Sequence, residues 1–192
     1  MKEHSINNTN TFIAGWYIDP ALCNSIVKKG ESDVDKFIAW TPWYQHYDLK
    51  DFDNLLCQHY EKALHDTIEK YKELYPLCYE KLHPWGWTPP RIQRYNPGQY
   101  FNTLHCENDG TAGTLQRHFA YMTYLNDVVD GGGTEFLHQN IITPAKAGLT
   151  LIWPAQWTHH HRGVVAPTEI KYIITGWLCF QPEPTPTIRQ VS

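Results

Sequence analysis

Two short segments of this chain carry side chains of the types and spacing that bind metal. In Leu104-His105-Cys106-Glu107 a histidine and a glutamate stand two residues apart. On an extended segment, positions i and i+2 project to the same face. His105 and Glu107 would therefore offer one nitrogen and one oxygen to a common point. Far downstream, Thr158-His159-His160-His161-Arg162-Gly163 holds consecutive histidines. One further ligand from there completes a two-histidine, one-carboxylate set. Such a set suits Fe(II), because the remaining coordination positions stay open for a cosubstrate and O₂. If the segment is extended, His159 and His161 share a face and His160 opposes them, so spacing leaves both open. A lone histidine–x–glutamate pair is common, and its ordinary reading is a surface histidine beside an acidic turn residue.

The rest of the composition narrows the setting. The chain has 192 residues, 42% of them apolar and 19% charged, with 11 His and 8 Trp. That is enough for one ordinary domain with a sizeable core, and it is neither disordered nor a coiled coil. The formal net charge of −4 disfavours a nucleic-acid binder that works by broad phosphate neutralisation. The polar start, residues 1–10, shows no signal peptide. Apolar runs such as Leu149–Trp153 are too short to span a bilayer, so no membrane association is expected. Five cysteines, an odd number with no C-x-x-C pair, argue against a disulfide framework or a zinc knuckle. A cytoplasmic location is expected.

These candidate ligands need elements to position them. The first half, residues 1–90, reads as helical. Asp19 caps a helix with Pro20 at its first position, ending at Gly30. A longer helix is expected from Phe52 to Leu74, where Phe52, Leu55, Leu56, Tyr60, Leu64, Ile68, Tyr71 and Leu74 recur at three- and four-residue spacing, and Pro76 stops it. After the aromatic loop His83–Pro90 the texture changes to short β-rich runs: Arg91–Tyr95, Tyr100–Cys106, His118–Leu125, Gly148–Trp153 and Lys171–Phe180. Helices followed by many short strands imply an α+β fold, and antiparallel strands of this length commonly make a jelly roll. The expected division is a single domain over residues 1–181, with a helical region over residues 1–90 and a strand-rich core over residues 91–181. A flexible tail is expected over residues 182–192.

In order, the segments of the second half resemble the 2-oxoglutarate/Fe(II) dioxygenases, and within them the prolyl-hydroxylase-like branch. The resemblance runs from Arg91 to Phe180. It rests on Arg94-Tyr95-Asn96-Pro97-Gly98-Gln99-Tyr100, on His105-Cys106-Glu107, and on Tyr124-Leu125-Asn126-Asp127 followed by Gly131-Gly132-Gly133-Thr134-Glu135-Phe136. It continues with Lys146-Ala147-Gly148-Leu149-Thr150-Leu151-Ile152-Trp153 and with His161 ten residues before Lys171. Each piece is weak alone, and the ordered set is hard to produce by chance. The chain departs from the pattern in carrying Glu107 where aspartate is commoner, which adds one methylene between backbone and carboxylate.

The resemblance implies a double-stranded β-helix, or jelly-roll, core with the N-terminal helices packed on it. It implies Fe(II) held by His105, Glu107 and His161, the interval to Lys171 selecting His161 over His159. It implies 2-oxoglutarate as cosubstrate and O₂ as oxidant, with succinate, CO₂ and an alcohol as products. On the strand starting at Lys171, two-residue alternation puts Lys171, Ile173, Thr175 and Trp177 on one face. A buried lysine there needs a charge partner, and the far carboxylate of 2-oxoglutarate would be one. Thr175, Tyr124 and Tyr95 are expected to share that carboxylate, and Met122 to line the same pocket. The expected substrate is a prolyl residue of a peptide or protein, with a free amino acid next. The contrasting reading is a cupin-like metal-binding or non-enzymatic jelly roll. For it His159 and His161 fit a histidine–x–histidine motif, but Glu169 lies too far along.

Overall fold

The fold is described from a computed structural model, which covers residues 1–6 and 10–181, without the side chains of Trp40 and Thr41. The expected tail, residues 182–192, lies outside the described residues. In chain order the elements are β1 (Lys2–Glu3), β2 (Ala14–Tyr17), α1 (Pro20–Ser32), β3 (Ile38–Thr41), β4 (Tyr44–Asp48), α2 (Leu49–Phe52) and α3 (Asn54–Leu74). They continue with β5 (Trp85–Trp87), β6 (Arg91–Tyr95), β7 (Arg117–Tyr124), β8 (Thr134–Phe136), β9 (Ile141–Thr143), β10 (Leu149–Pro154), β11 (His161–Gly163) and β12 (Lys171–Phe180). The result is a strand-rich mixture of helix and sheet.

The helices form where the local signals place them, with two differences. Asp19 caps α1, its carboxylate accepting from Ala21 N–H at 2.8 Å, and Pro20 starts it without losing a needed donor. The helix does not stop at Gly30 but runs to Ser32. Gly30 is buried for a different reason: a Cβ there would lie 3.3 Å from the Tyr172 ring, so glycine permits the close approach of α1 to β12. The expected single helix from Phe52 to Leu74 is broken. Asp53 adopts an extended backbone (φ −162°, ψ 112°) and caps α3 afresh. Its carboxylate accepts from Leu55 and Leu56 N–H, each at 3.0 Å. Apolar periodicity runs across the break because α2 and α3 both bury the same side.

The strands form a nine-stranded antiparallel sheet, ordered β1-β2-β10-β7-β12-β6-β4-β3 with β5 also on β12, and a three-stranded sheet, β11-β8-β9. The expectation that residues 1–90 are helical is corrected here: β1 to β5 all lie in that stretch and supply both edges of the large sheet. They are short and lack an alternating pattern long enough to stand out. The expected strand Tyr100–Cys106 is also absent; only an isolated bridge joins His105 to His161.

Two-residue alternation divides the large sheet. One face carries Phe119, Tyr121, Ile152, Tyr172, Ile174 and Leu178, which share a core with Cys23, Ile26, Tyr60, Leu64, Ile68 and Tyr71 of α1 and α3. A buried hydroxyl chain crosses this layer: Tyr60 meets Thr123 at 2.8 Å and Thr123 meets Thr150 at 2.8 Å. The opposite face carries Tyr95, Ala120, Met122, Tyr124, Leu151, Trp153 and Ile173, packed against Phe136 of the small sheet. Helices on one side and a second sheet on the other leave the space between the sheets for a site.

Candidate metal centre and cosubstrate pocket

A cavity of about 380 Å³ opens on that inner face. Its wall includes His105, Glu107 and His161, together with Lys171, Tyr95, Thr175, Met122 and Trp177. Local folding explains why the histidines meet. His105 and His161 exchange backbone hydrogen bonds at 3.1 and 2.9 Å, so one bridge holds two residues 56 positions apart in register. His161 starts β11, opposite Phe136 of β8.

Both rings are oriented by backbone carbonyls. His105 Nδ1 donates to Thr103 O and His161 Nδ1 to His159 O, each at 2.9 Å. A carbonyl only accepts, so each Nδ1 carries a proton, and Nε2 is the atom left to bind a metal once it gives up any proton of its own. Those Nε2 atoms face Glu107 Oε1 at 3.6 and 3.4 Å. One ligand atom from each of the three residues lies within 4.8 Å of the others. Burial by itself would raise the Glu107 carboxyl, but hydrogen bonding and charge from the two histidines outweigh it and hold the group well below the usual carboxylate range. A carboxylate and two oriented imidazoles whose Nε2 atoms converge on it are the donor set that a divalent first-row metal takes, so these residues fit Fe(II).

His159 does not join them. Its Nε2 meets Thr11 O at 2.8 Å and its Nδ1 meets Thr158 Oγ1 at 2.9 Å, so both ring nitrogens are committed away from the cavity. The turn Trp157–His159 is a 3-10 helix rather than an extended run, which removes the shared face that spacing suggested. Glu169 accepts from Val129 N–H at 2.6 Å and Asp130 N–H at 3.2 Å; it pins a loop and is not in the wall.

Lys171 is 4% exposed. Its ammonium donates to Gly132 O at 3.1 Å and lies over the Tyr95 ring, 4.5 Å from the centroid. Among the described residues no carboxylate pairs with it. Burial pushes its pKa down to about 8. A buried cation with one neutral acceptor fits an anion entering the cavity. Tyr95 and Thr175 line the wall beside it; Tyr95 donates to Gln93 at 2.7 Å and Thr175 to Tyr121 O at 3.2 Å. Tyr124 is placed differently from the expectation. It is absent from the wall, and its hydroxyl meets Thr134 and Thr143 at 2.7 and 2.9 Å. Thr134 lines the cavity in its place, so Tyr124 reaches the pocket only through that hydroxyl.

Other wall residues escaped sequence reasoning: His46, Arg91, Gln93 and Arg117, while Tyr44, from an aromatic segment that could cover the mouth of a site, also lines the wall. Tyr44 comes from β4, inside the stretch expected to be helical. Its neighbour Trp43 meets Phe101 edge-on at 5.3 Å. Trp157 and Arg162 sit outside; Trp157 is 66% exposed and Arg162 pairs with Glu135 at 2.6 Å.

A two-histidine, one-carboxylate cluster beside a buried lysine between two antiparallel sheets defines a class: the iron-dependent oxygenases that use a 2-oxoacid cosubstrate. Residues 90–179 match the model of the 2OG-Fe(II) oxygenase superfamily. The protein is therefore a dioxygenase that takes Fe(II), 2-oxoglutarate and O₂. None of the curated proteins matches the chain. Among solved structures, a viral collagen prolyl hydroxylase from Paramecium bursaria Chlorella virus-1, in complex with 2OG, superposes with a TM-score of 0.70 at 14% identity, covering 90% of this chain and 97% of that one. A Pseudomonas putida prolyl-4-hydroxylase gives 0.66 at 15% identity, with 90% and 94% covered. A Trichoplax adhaerens prolyl hydroxylase, bound to a hypoxia inducible factor peptide fragment, gives 0.67 at 14% identity, with 88% and 84% covered. At such identities the likeness is one of fold.

Proposed function

We propose that this dioxygenase hydroxylates an unactivated C–H of a prolyl residue in a peptide or protein, with His105, Glu107 and His161 as its iron ligands. The observation that carries the reading is the convergence of those side chains and Lys171 on one cavity. The prolyl substrate is favoured by the fold shared with three prolyl hydroxylases, one of them bound to a peptide. On this reading the two facing sheets are a double-stranded β-helix, and residues 1–181 are a single domain with the helices as its outer layer. Five unpaired cysteines accord with a reducing, cytoplasmic setting.

Fe(II), when bound, supplies the centre at which 2-oxoglutarate and O₂ become succinate and CO₂ while one oxygen atom enters the substrate C–H bond. The chain's own role is orientation and exclusion. Thr103 and His159 carbonyls fix the ligand tautomers. Lys171 neutralises the far carboxylate of 2-oxoglutarate, with Tyr95 and Thr175 beside it and Tyr124 holding Thr134. Met122, Trp153 and Ile173 supply apolar wall that keeps bulk water from the reacting centre.

Mass spectrometry of prolyl peptides incubated with the protein tests this. The expected result is a gain of one oxygen that requires 2-oxoglutarate and disappears in His161→Ala. A panel in which free amino acids gain oxygen and peptides do not would replace the substrate class. An undiminished oxygen gain in His161→Ala would remove that histidine from the ligand set.

A further inference from the structure

Glu107 is held by more than the two imidazoles. Its Oε1 faces them, while Oε2 turns the other way and accepts the indole N–H of Trp177 at 2.6 Å. Nη1 of Arg117 lies 3.5 Å from the same oxygen and donates to the Glu107 backbone carbonyl at 3.0 Å. The Arg117 guanidinium stacks on the Trp177 ring, 3.7 Å from a ring centroid. Indole and guanidinium therefore brace one another against a single carboxylate.

From this arrangement we infer that Trp177 and Arg117 are positioning residues that clamp Glu107 so that it presents Oε1 to the metal. The inference rests on the ligand set proposed above. The physical need comes from the glutamate itself. One methylene more than aspartate adds a rotatable bond, and Glu107 lies outside any strand, two residues past the single bridge at His105. A side chain free to rotate loses conformational entropy when it binds. A charge-assisted hydrogen bond to Oε2 orders it in advance. Trp177 is suited to this because its indole has one donor and no acceptor, so it meets Oε2 only by donating to it. It sits on β12, three alternations beyond Lys171 on the same face, which ties the carboxylate ligand to the strand that carries the buried cation. Arg117, at the start of the neighbouring β7, secures backbone and side chain of Glu107 together.

The experiment measures metal affinity rather than turnover. Mn(II) is titrated into the full chain and the free ion is followed by electron paramagnetic resonance. Trp177→Phe keeps a ring for Arg117 to stack on and removes the donor. Its expected effect is Mn(II) binding weaker by roughly 10- to 100-fold, with the metal-free melting temperature close to that of the unaltered protein. Asp53→Ala, which removes a helix cap on the far side of the sheet from the cavity, is the control and should leave Mn(II) affinity in place. Mn(II) affinity unchanged in Trp177→Phe, with binding still lost in His161→Ala, overturns the clamp alone. Mn(II) binding that survives His161→Ala overturns the proposed ligand set and the clamp with it. If the phenylalanine variant does not fold, Arg117→Met reads the same clamp, and unchanged affinity there overturns it.

Discussion

At the scale of single residues, the telling group is a lysine kept where a lysine is costly. Lys171 sits at 4% exposure with one carbonyl partner. Its pKa is pushed from 10.5 down to about 8 by burial, a displacement equivalent to about 3 kcal/mol. The sign follows from which form burial disfavours. The folded state is penalised while the amine must be protonated, below about pH 8, and the penalty fades as pH rises toward 10.5. Lys171→Met should therefore raise the melting temperature of the ligand-free protein, a gain of about 1–3 kcal/mol, while abolishing stabilisation by 2-oxoglutarate. In the unaltered protein, 2-oxoglutarate affinity should be level below about pH 7 and fall toward roughly tenfold per pH unit above about 8. Calorimetry across that range checks both. An affinity that rises with pH would show that the ammonium is not the anion's partner. Lys171 is legible in the sequence as the first residue of a strand with apolar alternation. The place of Tyr124 is not, because parity gives the face a side chain occupies but not whether a threonine stands between it and the cavity.

At the scale of elements, the helices and central strands are the readable portion. β6 and β12 begin and end where pattern alone puts them, at Arg91–Tyr95 and Lys171–Phe180. The failures share a cause. The break at Asp53 interrupts no apolar period, since α2 and α3 face the same core, and only the extended backbone of one residue reveals it. Asp53→Ala should cost about 1 kcal/mol by removing the cap of α3, read as a lower urea midpoint with 2-oxoglutarate affinity unaltered, because α3 lies on the far side of the sheet from the cavity. An equal loss of 2-oxoglutarate affinity would show the two faces to be coupled. The stretch Tyr100–Cys106 has the residue types of a strand but pairs only at His105; β-propensity describes fitness for a sheet and does not supply a partner strand.

At the scale of the whole molecule, the large sheet separates stability from chemistry. One face meets α1 and α3, the other meets the small sheet and the cavity. Ile68, on α3 and 2% exposed, packs in the first layer. Ile68→Ala should lower stability by about 2–5 kcal/mol while leaving Mn(II) affinity where it was, measured well below the variant's melting temperature. A parallel loss of metal affinity would mean that the helical layer shapes the site directly.

The sequence by itself determined the chemistry and the order of its components: a histidine–x–glutamate pair, a distal histidine, a lysine ten residues on, and strands of the period to carry them. These are local facts, written in residue type and spacing. The interval to Lys171 pointed to His161, but only the tertiary structure gives the reason His159 turns away, which lies in a 3-10 turn and in the carbonyl of Thr11 far away in the chain. The tertiary structure also decided that Glu107 is met by Trp177 and Arg117. Those contacts join residues 70 and 10 positions from Glu107 through the pairing of β7 with β12. Register is a property of paired strands that no single segment carries.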